Sequence, residues 1–111
     1  MQKWNIGELS GSRKAFRVLA TTDRSQVATM TLNKGEPSGE YGTDHPESDQ
    51  FLYALSGSGV VKVEHQEFTL VPGELILIPA GLEHQVIGES DEPFISLSFY
   101  GPVAYPDEGT A

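Results

Sequence analysis

One stretch, VPGELILIPAGLEH from Val71 to His84, constrains the fold more than any other part of this 111-residue chain. Pro72-Gly73 is a turn dipeptide: proline presets φ near −65° and glycine supplies positive φ without a steric penalty. Glu74 follows, then Leu75, Ile76, Leu77 and Ile78 form an unbroken apolar run. A short apolar run bounded by turn signals reads as a strand buried on both faces. Pro79-Ala80-Gly81 ends that strand and reverses the chain, and His84 opens the next one, with Val86 and Ile87 behind it. A tight turn therefore presents an imidazole to whatever lies inside the sheet.

The same rhythm of short strand and turn runs through the rest. Phe16 to Ala20 reads as a first strand, and Val27 to Leu32 alternates Ala28, Met30 and Leu32 against Val27, Thr29 and Thr31, as a half-buried strand does. Asn33 to Gly42, rich in Gly, Pro, Glu and Ser, reads as a long loop or irregular edge. Phe51 to Leu55 is a strand, turned by Ser56-Gly57-Ser58-Gly59 into Val60 to Glu64. His65-Gln66 makes a hairpin tip before Glu67 to Val71. Phe94 to Tyr100 alternates Ile95, Leu97 and Phe99 against Ser96 and Ser98. No apolar pattern holds a helical period for long. Eight or nine short strands at fairly regular spacing predict an all-β sandwich or barrel.

With no break in composition, residues 1–111 read as one domain, with 1–14 as an N-terminal arm carrying Trp4 and Ile6 and 101–111 as a C-terminal tail. The absence of cysteine excludes a disulfide framework and a thiolate zinc site. Seven Lys and Arg against sixteen Asp and Glu give a net charge of −9, which disfavours a nucleic-acid backbone or an anionic membrane as partner. No stretch is long enough for a membrane span, and the N-terminus lacks the basic-then-apolar pattern of a signal peptide, so the expected location is the cytoplasm.

Each of the three histidines has a bland reading. His65, among Glu64, Gln66 and Glu67, is a solvated turn residue. His84 alone would more often be a satisfied polar group than a ligand, and His45, within Asp44-His45-Pro46-Glu47-Ser48-Asp49-Gln50, would be part of a charged loop. The odds change because His45 and His84 each precede a buried strand and sit in tightly turned or densely polar segments.

Together these residues resemble the cupin superfamily. Its second motif runs Gly, five residues, Pro, one residue, Gly, two residues, His, three residues, Asn; Gly73, Pro79, Gly81 and His84 match in register, and Gly88 stands at the last place. The first motif runs His, one residue, His, three or four residues, Glu, six residues, Gly. Here Thr43 takes the first His place, His45 the second, Gln50 the Glu place and Gly57 the last. The stretch DHPESDQFLYALSGSG is also similar to a group of small bacterial cupins with no assigned substrate.

The resemblance implies a small antiparallel β-barrel, the double-stranded β-helix or jelly roll, holding one divalent transition ion (Fe, Mn, Ni, Cu or Zn). Carried over by position, the ligands are His45, Gln50 and His84. The usual three imidazoles and a carboxylate are here two imidazoles and a neutral amide, which weakens binding and removes the anion that offsets the ion's charge. Glu47 or Asp49 is expected to substitute if Pro46 breaks the strand register, and Thr43, Glu47 and Asp49 are candidate proton carriers. Two imidazoles and an oxygen leave coordination positions open for water or substrate. Two classes of function follow: a metal-dependent oxygenase, isomerase or lyase acting on a small molecule, or a binding or sensing module that does no chemistry. The arm, the exposed strand edges and the habit of small cupins also lead us to expect a homodimer.

Overall fold

A computed structural model describes residues 1–6, 16–43 and 45–105. The eight strands are β1 (Phe16–Thr21), β2 (Gln26–Leu32), β3 (Asp49–Ser56), β4 (Gly59–Val63), β5 (Gln66–Leu70), β6 (Leu75–Ile78), β7 (His84–Gly88) and β8 (Phe94–Gly101). Each falls within two residues of where the turn residues place it, and the β4–β5 tip is Glu64-His65 rather than His65-Gln66, with Gln66 the first residue of β5. They form a five-stranded sheet in the order β1-β2-β8-β3-β6 and a three-stranded sheet in the order β5-β4-β7, with every strand pair antiparallel.

Two turns depend on backbone that few residues tolerate. Gly57 has φ of 66°, and a Cβ there would lie 2.2 Å from the Pro93 carbonyl oxygen, so only glycine lets β3 turn toward β4 beneath the start of β8. Glu64 and His65 carry positive φ at the β4–β5 hairpin tip, the geometry of a two-residue turn that matches strand twist. The segment Asn33 to Gly42 is an irregular edge: Lys34 bridges Gly88, Pro37 bridges Ile87 and Gly42 bridges His84, extending the small sheet past β7. This packing also accounts for Gly88 at the last place of the second motif. A Cβ there would meet the Asn33 carbonyl oxygen at 2.3 Å.

Cross-strand partners share a face, so the register of the large sheet lays its inward residues in rows. Gln26, Tyr100, Gln50 and Ile78 form the first; Ala28, Ser98, Leu52 and Ile76 the second. Met30, Ser96 and Ala54 make the third, and Leu32 with Phe94 the last. The inside of the barrel is therefore polar at one end and hydrocarbon at the other. Leu52, Ala54, Val61, Ile78, Val86 and Phe94 form the apolar core with Met30 and Leu32. A smaller cluster joins Val18, Ala28 and Tyr100 to Phe16, Ala104 and Tyr105.

One strand departs from the sequence reading, and a second shows which of its alternating faces is inside. β6 is not buried on both faces: Ile78 is fully buried and Ile76 half-buried, whereas Leu75 and Leu77 are 58% and 49% exposed. Among the described residues nothing covers the outer side of the large sheet at this point, so the apolar run is buried on one face only. β8 turns its serines inward: Ser96 and Ser98 are buried between Phe94 and Tyr100, while Phe99 is 44% exposed. No helix of the described residues is long and apolar enough to cross a membrane.

Candidate functional site

The polar end of the barrel opens into a cavity of about 260 Å³ lined by His45, Gln50 and His84 together with Phe16, Met30, Ser38, Val86, Tyr100 and Tyr105. His45, just ahead of β3, is held by a local turn. The Ser48 amide donates to the His45 carbonyl at 3.0 Å, and His45 Nδ1 donates back to the Ser48 carbonyl at 3.3 Å. His84, the first residue of β7, is paired with Val63 on one side and with Gly42 on the other, and its Nδ1 donates to the Leu82 carbonyl at 3.0 Å. A carbonyl oxygen can only accept. Each Nδ1 therefore carries the proton, and in the neutral ring Nε2 carries the lone pair. The two rings lie 4.9 Å apart between centroids.

Gln50 is the first inward residue of β3 and 3% exposed. Its Nε2 donates to Ser98 Oγ at 3.0 Å, but its Oε1 is buried with no partner. The hydroxyl of Thr43, next to Gly42, is buried and unpartnered as well. Two of the three such side-chain atoms among the described residues thus fall at motif positions, the third being Ser96 Oγ. Glu47 and Asp49 are exposed and do not line the cavity; Asp49 faces outward with Phe51, and its Oδ1 accepts from the Ala80 amide at 2.9 Å. His65 is exposed at its hairpin tip, its amide 3.4 Å from the Tyr41 hydroxyl.

Three polar lining groups, Ser38, Tyr100 and Tyr105, escaped the sequence reading. Tyr100 packs edge-on against His45, centroids 5.0 Å apart. Tyr105, in the segment read as tail, lies 5.4 Å from Tyr100, 5.0 Å from Phe16 and 6.1 Å from His45. What brings it there is Gln26, 3% exposed, whose Nε2 donates to the Tyr105 carbonyl at 2.7 Å and whose Oε1 accepts from the amides of Tyr105 and Ala104 at 2.9 and 3.3 Å. A single amide side chain thus acts as a strand partner for the returning chain. Ser38 accepts from the Val86 amide at 3.0 Å. A buried glutamine at a strand start was the available signal for the returning segment; its partner is 79 residues away and no local pattern could supply it.

The residues at 28–100 match the family model described as "Cupin domain". This chain belongs to the cupin family. It is 33% identical over 110 residues to the uncharacterized protein YrkC of Bacillus subtilis (strain 168), covering 92% of this chain but only 58% of YrkC. The crystal structure of BH2720 from Bacillus halodurans superposes with a TM-score of 0.84 at 33% identity, covering 95% of this chain and 83% of that one. A sugar phosphate isomerase of the cupin superfamily from Silicibacter pomeroyi superposes with a TM-score of 0.64 at 27% identity, over 72% of this chain and 52% of that one.

Among the described residues, no three His, Cys, Asp or Glu side chains are grouped so as to hold a metal ion. The donors that do gather are two imidazoles and an amide oxygen. Two imidazoles sharing an ion at about 2.0–2.1 Å, with angles between octahedral and tetrahedral, place their centroids roughly 4.6–5.3 Å apart, and the observed spacing of 4.9 Å falls within that range. Both rings also donate their other N–H to a backbone carbonyl, the outer-shell bond that ligating histidines make. The donor set fits an ion of intermediate softness.

Proposed function

We propose that this cupin domain binds one divalent transition ion through His45, His84 and Gln50 and presents it to a small molecule in the same cavity. One observation carries the reading: the buried, unpartnered Gln50 Oε1 shares a cavity with two imidazoles whose Nε2 atoms are lone-pair donors. A buried acceptor without a donor is costly, and a cation offsets that cost. Such an ion supplies Lewis-acid polarisation of a bound oxygen. The chain's own part is to hold Nε2 of both rings in register through the Ser48 and Leu82 carbonyls. The rings of Phe16, Tyr100 and Tyr105 wall the cavity and limit the water in it.

The cavity is small, at the lower end of ligand pockets. A sugar phosphate, the substrate class named for the Silicibacter protein, would bring a doubly charged group to a lining that has no Lys or Arg among the described residues. A neutral, oxygen-bearing small molecule is the better match. The absence of a carboxylate from the donor set among the described residues favours a second reading, a metal-free binding module in which a ligand N–H or O–H donates to Gln50 Oε1. The test is titration of the purified protein with Mn, Fe, Ni and Zn, read by calorimetry and by metal content after desalting. One ion per chain is expected, lost in His45→Ala and His84→Ala and retained in His65→Ala. Equal uptake by all four proteins overturns the site. No uptake by any of them leaves the metal-free reading.

A further inference from the structure

The cavity has two chemically different sides. Toward β3 and β7 it gathers three acceptors: the unpartnered Oε1 of Gln50, a residue only 3% exposed, and the Nε2 lone pairs of His45 and His84. Toward β1 and the returning chain it is walled by rings. Phe16, Tyr105, Tyr100 and His45 follow one another at centroid separations of 5.0, 5.4 and 5.0 Å. Their successive planes meet at 59°, 82° and 68°. No two neighbours are parallel, so the wall offers both faces and edges. The order follows the sheet: Phe16 lies on β1, Tyr105 is held at the start of β2 by Gln26, Tyr100 is on β8 and Gln50 on β3.

We infer that the ligand of this cavity is a neutral one-ring aromatic alcohol, a phenol in class, with its ring against Phe16, Tyr100 and Tyr105 and its hydroxyl at Gln50. The inference rests on the reading that a neutral, oxygen-bearing molecule enters here, and it names the class. Size sets the first bound. An apolar cavity of about 150 Å³ takes up benzene, so about 260 Å³ has room for one ring, its hydroxyl and an ion or water beside it. Ring geometry selects the body. Aromatic pairs favour tilted or offset contact, which the wall already uses among its own members, and each such pair adds roughly two- to tenfold in affinity over an aliphatic group of the same area. Polarity limits the substituents. A polyol lying on the rings would set several hydroxyls against hydrocarbon, each costly if unpaired; a phenol brings one, and it meets the acceptor that has no partner. Charge excludes the acid. A phenolic hydroxyl, with a pKa near 10, stays neutral at about pH 7, whereas a benzoate needs a cation and the lining has no Lys or Arg among the described residues. In the metal-free cavity the O–H donates to Gln50 Oε1, and beside an ion the same oxygen is a donor to it, so the class holds for either state.

The test is an amide NMR titration of the full chain, stripped with chelator and again with Zn added, using phenol, cyclohexanol and glycerol as probes. Phenol is expected to shift the Gln50 side-chain amide and the Tyr105 backbone amide at concentrations at least about tenfold below cyclohexanol, and glycerol to shift neither. Tyr105→Leu keeps hydrocarbon at that place but removes the ring, and it should bring phenol down toward cyclohexanol. Phenol and cyclohexanol binding alike in the wild type, or glycerol binding more tightly than phenol, overturns the aromatic class and leaves the neutral-molecule reading standing. No shift at Gln50 with any of the three overturns both. A folded Tyr105→Leu with an unchanged preference for phenol also overturns the inference, since the ring wall is then idle. Should that variant misfold, the wild-type ratio of phenol to cyclohexanol decides alone.

Discussion

Replacing Gln50 by Glu separates the metal site from a metal-free cavity by a change of sign. The side chain is 3% exposed, its Nε2 donates to Ser98 Oγ, and its Oε1 has no partner. Without an ion, the substitution removes the N–H that Ser98 accepts and sets a carboxylate in a desolvated position with no cation among the described residues of the cavity lining. The serine hydroxyl can rotate and donate to the new oxygen, which recovers part of the loss. The remainder, for an imperfectly satisfied buried group, is about 1–3 kcal/mol. In a domain of this size, 1 kcal/mol moves the melting temperature by roughly 4–6 °C, so the metal-free variant should melt about 4–18 °C lower. With an ion the same carboxylate is an anionic ligand at the same reach. Each tenfold gain in affinity then adds about 1.4 kcal/mol to the folded state at saturation. A gain of one to two decades cancels or reverses the deficit, and the variant should show the larger metal-induced shift in melting. The assay is calorimetric or fluorescence melting of both proteins, stripped with chelator and then titrated with Mn, Fe, Ni or Zn. A variant that melts lower than the wild type by the same amount with and without every metal refutes the reasoning and leaves a binding module.

Gly57→Ala should lower stability by several kcal/mol or prevent folding, because its Cβ meets the Pro93 carbonyl at 2.2 Å on top of an unfavourable positive φ; Gly73→Ala has the φ cost with no atom in the way and should fold, as urea titration of the pair will show. Gln26→Ala removes three hydrogen bonds to the returning chain, so Tyr105 should become accessible to iodide quenching of tyrosine fluorescence with about 1–3 kcal/mol lost in urea, and an unchanged quenching profile counts against the clamp. Ser98→Ala strands the Gln50 amide and should cost about 1–3 kcal/mol, whereas Ser96→Ala deletes a hydroxyl that has no partner and should be neutral or slightly stabilising. Equal losses for the two serines would mean that Ser96 has a bond to water or ligand.

The fold was legible because turn residues punctuate the chain so densely. Pro72-Gly73, Pro79-Ala80-Gly81 and Ser56 to Gly59 each end a strand where the structure ends it, and the requirement at Gly57 is local in sequence even though the obstructing atom belongs to Pro93. His45, Gln50 and His84 were legible as a group through motif spacing, and they do line one cavity. Tyr100 and Tyr105 were not. An aromatic residue at the end of an alternating strand carries no mark of whether it faces a core or a site, and Tyr105 is brought in by a glutamine on a strand remote in sequence. The facing of β6 and β8 was illegible for a related reason. Alternation gives the period of a strand but not which of its two faces is inside, and an unbroken apolar run does not say which of its faces the chain covers.

The inverted strand ties the cavity to the outer face. β2 and β8 are paired along their full length, and β2 turns Ala28, Met30 and Leu32 inward as its pattern requires. Turning β8 over by one residue would send Ile95, Leu97 and Phe99 into the barrel, but it would also expel Ser98, the partner of Gln50, and Tyr100, the wall against His45. Strand period two allows no third option. A β8 that serves the polar cavity must show its hydrocarbon to the outside, and on the outside it stands beside the apolar residues of β3 and β6. The apolar outer face is therefore the reverse side of the site: the register that gives the cavity Ser98 and Tyr100 is the one that leaves Phe99 exposed.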